Sequence, residues 1–315
     1  MALHGLPPAM AIGEDSEMKF VSFRRRADAR DEYGVVVDDR VASLVTGAAP
    51  TLRAALAGEG LATLKARAAR ADADLDLSSL QLLPPITDPG KFICVGLNYH
   101  RHAAEVGMQV PSRPSLFVRF ADSVTGHGQP TLRPPESEQY DYEAELAVVI
   151  GRTGRRIAES GAMAYVAGYC CLAENSVRDW QRHSAQATPG KNFFHSGALG
   201  PWLVTPDEAG PVDAMTIVGR LDGEEVQRES LSDLIFSVPQ IIAYISTFGP
   251  LQAGDVIATG TPAGVGMSRK PPRWLRAGDV FEVEISGVGT LRNPVVDDRS
   301  ETMQTASNAA REAAV

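Results

Sequence analysis

Hydrophobic residues along this chain fall mostly in short runs bounded by Gly, Pro or Asp, the signature of strands joined by turns. Residues 20–23 and 34–37 read as strands near the start, with a polar, turn-prone stretch between them. Residues 92–95, 146–150, 202–204, Val256–Ala258 and Val280–Ile285 read as strands through the main body, rich in β-branched and apolar side chains. Helical signals are fewer. Residues 51–57 and 61–71 are rich in Ala, Leu and Arg, with Gly58 and Gly60 as a turn between them, and 160–165 carries a short helical pattern. Across 231–247, Leu234, Ile235, Val238, Ile241, Ile242 and Ile245 recur at three- and four-residue spacing, one apolar face of an amphipathic helix. Pro239 suits only a first turn, so the regular helix is expected to begin near Ser237.

Punctuation divides the chain. Pro84-Pro85 followed by Asp88-Pro89-Gly90 is a breaker cluster and marks a boundary. The expected organisation is a flexible extension over 1–17, a small N-terminal α/β domain over 18–85, a larger body over 90–300 and a loose tail over 301–315. The mixture of elements predicts an α+β fold, mainly β, rather than regular βαβ repeats.

Composition narrows the function classes. The chain has 315 residues, 44% of them hydrophobic, enough for a sizeable core. Lys plus Arg is 30 against 39 Asp plus Glu, a formal net charge of −9, which argues against nucleic acid as a partner. It leaves room for an anionic small molecule, because a local cluster of basic groups can act inside an acidic protein. Apolar runs reach nowhere near the ~18 residues of a membrane span. The first residues lack the basic-then-apolar pattern of a signal peptide. Cys94, Cys170 and Cys171 show neither a disulfide framework nor zinc-ligand spacing, so a cytoplasmic location with reduced thiols is expected.

Four stretches carry candidate chemistry. In Tyr140-Asp141-Tyr142-Glu143-Ala144-Glu145, a strand puts Asp141, Glu143 and Glu145 on one face. Such a face is either solvated or holds a divalent cation, since hard ions prefer carboxylate oxygens. Glu174 follows an apolar run and stands where a strand ends, followed by Arg178 and Gln181. Lys191, in a Pro-Gly-Lys turn, is either solvated or steadies an oxyanion. The strand at 256–258 leaves into Thr259-Gly260-Thr261-Pro262-Ala263-Gly264-Val265-Gly266. This loop lacks the lysine of a phosphate-binding P-loop and the spacing of a dinucleotide fingerprint. On a helix, His102 and Glu105 share a face, and a carboxylate beside an imidazole orients it as a general base.

Taken in order, these stretches resemble the fumarylacetoacetate hydrolase family. The resemblance rests on Asn98-Tyr99-x-x-His102-Ala103-x-Glu105, Asp141-Tyr142-Glu143-Ala144-Glu145-Leu146, Ser176-x-Arg178-Asp179-x-Gln181, Gly190-Lys191-x-Phe193, Leu199-Gly200-Pro201-Trp202 and Thr259-Gly260-Thr261-Pro262. It implies β-sheets rolled into a distorted barrel, usually in a homodimer. It also implies Mg²⁺ or Mn²⁺, with Ca²⁺ as a further choice, held by Glu143, Glu145 and Glu174. Glu174 departs from the family's usual Asp. His102 and Glu105 correspond to a pair that activates water. Lys191 and Thr261 match substrate-contacting positions, and Arg119, Tyr142, Arg178 and Gln181 are carried over as substrate-binding, Arg119 where a Lys is common. The activity implied is metal-dependent C–C hydrolysis of a small 1,3-diketo or 2-oxo acid of the acylpyruvate or fumarylpyruvate type, in aromatic catabolism. An isomerase or decarboxylase of an unsaturated oxo-acid on the same site is the alternative, and a non-catalytic metal- or ligand-binding protein is the reading from another class. Phe193, Phe194, His195 and Met267 are expected to supply apolar pocket walls.

Overall fold

The computed structural model describes residues 18–299 together with the two-residue strand Met10–Ala11. The rest of the expected extension over 1–17, and the tail over 301–315, lie outside the described residues.

At the centre is Ala144–Ile150, buried along its whole length. It pairs antiparallel with Val166–Ala173 on one side and Val256–Ala258 on the other. Alternation along the strand sends its side chains into two different cores. Ala144, Leu146, Val148 and Ile150 join one apolar cluster; Ala147 and Val149 join the other. A strand covered on both faces is apolar wherever its side chains meet a core, which is why, Glu145 apart, this run lacks the polar alternation of an exposed sheet.

The largest sheet continues in both directions from this strand. Towards one edge, Val256–Ala258 is followed by Phe92–Gly96, paired in parallel, and Ser115–Val118. Towards the other come Val166–Ala173, Gly197–Val204, Lys19–Arg25, Asp31–Val37, Arg40–Ser43 and Leu75–Asp76. The sheet therefore crosses the breaker cluster at 84–90 without interruption, through Phe20 opposite Leu203. The N-terminal helices Leu52–Gly58 and Gly60–Ala68 supply Leu52, Leu56 and Leu64 to the same core as Ala147, Val149 and Leu172. Thr51 caps the first of them, accepting the Ala54 N–H at 3.1 Å.

A second sheet of five strands, in the order Thr131–Arg133, Gly289–Asp297, Val280–Ile285, Thr216–Leu221 and Glu224–Ser230, covers the opposite face. Ile217, Phe281, Val283 and Leu291 meet the even-numbered side chains of the central strand there. The amphipathic helix is Val238–Phe248, beginning after Ser237 as Pro239 dictates, and the Ser237 N–H is held by Gln240 Oε1 at 2.9 Å. Residues 159–165 form a 3₁₀ segment, Glu159–Tyr165. The fold is α+β, mainly β. Among the described residues both sheets run from edge to edge, so the expected barrel does not close. No helix among them is long and apolar enough to cross a membrane.

Candidate functional site

The site grows out of the central strand pair. Ala144 stands opposite Ala173 in the long ladder, and Asp141 opposite Ser176 in the short ladder of Tyr140–Asp141 with Ser176–Val177. The register is unchanged between the two, so the unpaired step places Glu143 opposite Glu174, and the Glu174 N–H donates to the Glu143 carbonyl at 2.8 Å. Glu145 lies on the same face as Ala147 and Val149, where the core gives way to a cavity. A cavity of about 400 Å³ is lined by Glu143, Glu145, Glu174, Arg178, Gln181, Lys191, Thr261 and His102. Side chains from five separate stretches of sequence converge on it.

The predicted strand from Asp141 through Glu145 is broken at Tyr142-Glu143, and this corrects the expectation of one shared acidic face. Asp141 turns away from the cavity. It accepts from the backbone N–H groups of Gly266 and Met267 at 2.8 and 3.1 Å, and Arg178 Nε at 2.8 Å. It fastens the strand to the far end of the Thr259–Gly266 loop.

The electrostatics of the acidic wall are uneven. Lys191 Nζ bridges Glu143 Oε2 and Glu174 Oε2. The remaining oxygens are taken by arginines: Arg178 Nη2 lies 2.8 Å from Glu143 Oε1, and Arg119 Nη1 donates to Glu174 Oε1 at 2.7 Å. Burial works to raise the Glu143 carboxyl, but Arg178 and Lys191 outweigh it and hold it well below the usual carboxylate range. Glu174 stays raised by burial despite Lys191 and Arg119. Glu145 forms no ion pair among the described residues and accepts only the Gly260 N–H, at 2.8 Å. Burial first, then the charges of Glu174 and Glu143, push its carboxyl well above the ordinary value. Gly260 can make this approach because its φ is +105° and a Cβ there would stand 2.8 Å from Asn98 Cβ.

Three carboxylates on one cavity wall, one of them uncompensated, are the donor chemistry of a hard divalent cation. As they stand, no three His, Cys, Asp or Glu groups among the described residues converge to hold one. The Lys191 ammonium sits on the oxygens concerned.

His102, which lines the cavity, and Glu105 lie on the short helix His100–Glu105 as the spacing predicts, with His102 Nδ1 3.0 Å from Glu105 Oε2. A carboxylate only accepts, so Nδ1 carries the proton and Nε2 is left as the acceptor. The other oxygen of Glu105 accepts the Gly264 N–H at 2.9 Å, tying helix to loop. Asn98, fully buried, anchors the segment before the helix: its Nδ2 donates to Phe236 O and Thr259 O at 3.1 and 2.7 Å, and its Oδ1 accepts the Phe236 N–H at 2.8 Å.

Two substrate-binding expectations are corrected. Arg119 is 2% exposed, does not line the cavity, and directs its donors to Glu174, Ser123, Ser196 and the Asn175 carbonyl. It stands behind the acidic wall. Tyr142 lies under the loop, donating to Gly264 O at 3.2 Å and accepting from Arg269 Nε at 2.8 Å. Of the expected apolar walls only Met267 lines the cavity. Phe193 packs edge-on to Trp180 at 5.0 Å between centroids, and Phe194 stacks on His195 at 3.9 Å, both elsewhere. The other large apolar side chains lining the cavity are Val95, Leu97, Val106, Met108 and Phe117. Sequence reasoning also missed Gln227, which donates to Thr261 Oγ at 2.9 Å and accepts the Ala144 N–H at 2.9 Å. No motif marks it; only the sheet contact does.

Comparison with known proteins places this geometry in context. The profile for the fumarylacetoacetate (FAA) hydrolase C-terminal region matches residues 91–296. A protein of Xenopus laevis described as a mitochondrial oxaloacetate tautomerase is 44% identical over 224 residues, 70% of each chain. The crystal structure of a putative HpcE protein from Mycobacterium smegmatis superposes with a TM-score of 0.79 at 33% identity, covering 89% of this chain and 99% of that one. A maleylpyruvate hydrolase from Sphingobium, solved with manganese(II) and pyruvate, gives a TM-score of 0.73 at 28% identity, covering 90% and 100%.

Proposed function

We propose that this chain, which belongs to the fumarylacetoacetate hydrolase family, is a divalent-metal-dependent enzyme that interconverts the keto and enol forms of a small 2-oxo acid such as oxaloacetate. The observation that carries the reading is that His102, held by Glu105 at 3.0 Å, lines the same cavity as Glu143, Glu145 and Glu174. The 44% identity to a protein described as an oxaloacetate tautomerase supports the substrate class.

Glu143, Glu145 and Glu174 would hold Mg²⁺ or Mn²⁺, which when bound polarises the oxo and carboxylate oxygens of the substrate. The chain's own groups do the rest. Keto–enol exchange moves one proton between the enol oxygen and the carbon next to the oxo carbon, while the double bond shifts between C=C and C=O; no other bond changes. His102 Nε2 takes that proton from one atom and returns it to the other, held in orientation by Glu105. The Lys191 ammonium donates to the oxygen that carries negative charge between the two transfers. Thr261 keeps a free hydroxyl proton, since its Oγ accepts from Gln227, and offers it to a substrate carboxylate. Val106, Met108 and Phe117 give the cavity apolar surface beside the reacting groups.

A second reading, hydrolysis of a C–C bond in an acylpyruvate, is favoured by the same pair, because an imidazole with a free Nε2 equally activates water. The test is decay of enol-oxaloacetate, followed by ultraviolet absorbance, with chelator-treated protein before and after adding Mn²⁺, alongside product analysis on an acylpyruvate. Metal-restored decay without cleavage supports the tautomerase; cleavage products would move the hydrolase ahead. Neither activity in the metal-loaded protein would leave a binding protein.

A further inference from the structure

We infer that Lys191 and a divalent cation compete for the same carboxylate oxygens, so that cation binding drives the Lys191 ammonium off Glu143 and Glu174 and into the substrate cavity. This rests on the metal reading above and goes beyond it, because it gives the site a binding order.

The competition is decided by which carboxylate oxygens are free. Glu143 Oε1 is held by Arg178 at 2.8 Å and Glu174 Oε1 by Arg119 at 2.7 Å. Those arginines are buried and anchored elsewhere, Arg178 on Asp141 and Arg119 on Ser123, Ser196 and the Asn175 carbonyl. The oxygens these two acids can lend to a cation are therefore the two Oε2 atoms; both carry Lys191 Nζ, and that of Glu143 also accepts the Ser176 hydroxyl. An ammonium and a divalent ion cannot share them: at hydrogen-bond separations inside a protein, like charges repel strongly. The divalent ion also gains Glu145, which has no basic partner and stands on the same wall.

The ammonium has somewhere to go. Nζ already lies 4.9 Å from the centroid of the Phe117 ring, and Phe117 and Gln181 both line the cavity. The backbone beneath Lys191 packs closely on its neighbours, since a Cβ on Gly190 would stand 2.4 Å from the Gln181 nitrogen and 2.5 Å from the Val177 carbonyl oxygen; the displacement is one of the side chain. While Lys191 is clamped between two carboxylates, two of its three N–H donors are spent and the ammonium is held at the acidic wall. Once displaced it can meet a substrate oxyanion, so loading of the cation precedes productive binding of the anion.

The test is Mn²⁺ titration calorimetry on wild type and Lys191→Met, with acetylation of wild type by N-hydroxysuccinimide acetate, with and without Mn²⁺, read by mass spectrometry against exposed Lys270. Competition predicts that the variant binds Mn²⁺ about tenfold tighter or more, a competing charge having been removed, and that Mn²⁺ speeds acetylation of Lys191 but not of Lys270. Tighter binding with unchanged or slower acetylation means repulsion without displacement and overturns the inference. So does equal or weaker binding by the variant, which leaves the metal reading intact. No Mn²⁺ binding by wild type overturns both. The acetylation arm uses wild type and stands even if Lys191→Met fails to fold.

Discussion

Glu105 holds His102 by one carboxylate oxygen and reaches the loop beyond Thr261 with the other: Oε2 lies 3.0 Å from His102 Nδ1, and Oε1 accepts the Gly264 N–H at 2.9 Å. One side chain thus sets the ring's orientation and pins the helix that carries it. Replacing His102 by Ala is expected to lower kcat by about 10²–10⁴ with little change in KM, the usual range for losing a general acid–base. Glu105→Ala keeps the imidazole but frees its orientation, so its loss should be smaller, about tenfold to a hundredfold. Steady-state kinetics on the metal-loaded variants checks the order. Equal activity in Glu105→Ala and wild type would remove Glu105 from the mechanism.

Glu145 supplies a prediction with the opposite sign to most substitutions. It is a buried carboxylate with no ion pair among the described residues, and burial and the charges of Glu174 and Glu143 outweigh the pull of Lys191. Glu145→Gln keeps an acceptor for the Gly260 N–H and removes the charge. Chelator-treated Glu145→Gln should be more stable than chelator-treated wild type by about 1 kcal/mol, and should lose the rise in Tm that Mn²⁺ gives wild type. The pH dependence follows from the raised carboxyl. The folded chain binds that proton more tightly than the unfolded chain, so metal-free wild type gains stability as pH falls from neutrality, and its gap to the variant narrows. Glu143 works the other way: its depressed carboxyl contributes stability above the ordinary carboxylate range, and that is lost only in strong acid. Thermal melts over a pH series read both effects. A gap that widens on acidification would contradict the assignment.

Much of this site was legible because its chemistry stands at strand ends, where turn residues and charged residues sit beside apolar runs. Glu143, Glu145, Glu174, Lys191, Thr261, His102, Arg178 and Gln181 all line the cavity as their motifs suggest. What periodicity could not show was which way a side chain turns once a strand breaks. Asp141 has the right spacing to join Glu143, yet the break after it sends it to Arg178. Arg119 follows the strand Ser115–Val118 at the cavity's edge, and only the packing shows its guanidinium running inward. Gln227 was invisible because its partners, Ala144 and Thr261, are distant in sequence and meet it through the second sheet. The continuity of the large sheet across 84–90 was hidden for a similar reason. Prolines mark where a chain bends, not whether the strands on either side later pair.

Asn98 offers a test of how the fold supports the site from a distance. Its amide links the segment before the His100–Glu105 helix to Phe236 and to Thr259, at the start of the glycine loop. Asn98→Ala leaves three backbone groups without this partner: the half-buried Phe236 N–H and carbonyl and the buried Thr259 carbonyl. A loss of about 2–4 kcal/mol is expected, the two half-buried groups costing less than the buried one. Chemical denaturation measures it. Since both ends of the cavity hang on this residue, kcat should fall as well, even where the variant is fully folded. Unchanged kcat in folded Asn98→Ala would show that the helix finds its place without it.

The three thiols should be inert in the native protein. Cys94, Cys170 and Cys171 are buried. Burial pushes Cys94 and Cys170 well above the ordinary thiol value, and Cys171 up to about 12. At pH 8 almost no thiolate exists on any of them, and thiolate is the reactive form. A disulfide-exchange reagent should titrate none within minutes under native conditions and all of them in denaturant. Rapid reaction of Cys94, the one nearest Glu174 and Lys191, would mean that the cavity opens much further than its walls suggest.

Arg119 separates a supporting role from a substrate-binding one. Its charge is buried beside Glu174, and removing one member of a buried pair typically costs about 3–5 kcal/mol, because the partner is left uncompensated. Arg119→Met should therefore destabilise the fold by roughly that much, while Arg119→Lys, which keeps the charge but not the fork of donors, should fall between. The double variant Arg119→Met/Glu174→Gln should be less destabilised than the single losses added together, since neither charge is then stranded. A residue that bound substrate would behave differently: its replacement would raise KM in a protein of wild-type stability. Denaturation curves and KM, measured on the same preparations, decide between the two. The five donors of Arg119 are already engaged by Glu174, Ser123, Ser196 and Asn175, so a shift in stability with KM held constant is the expected result.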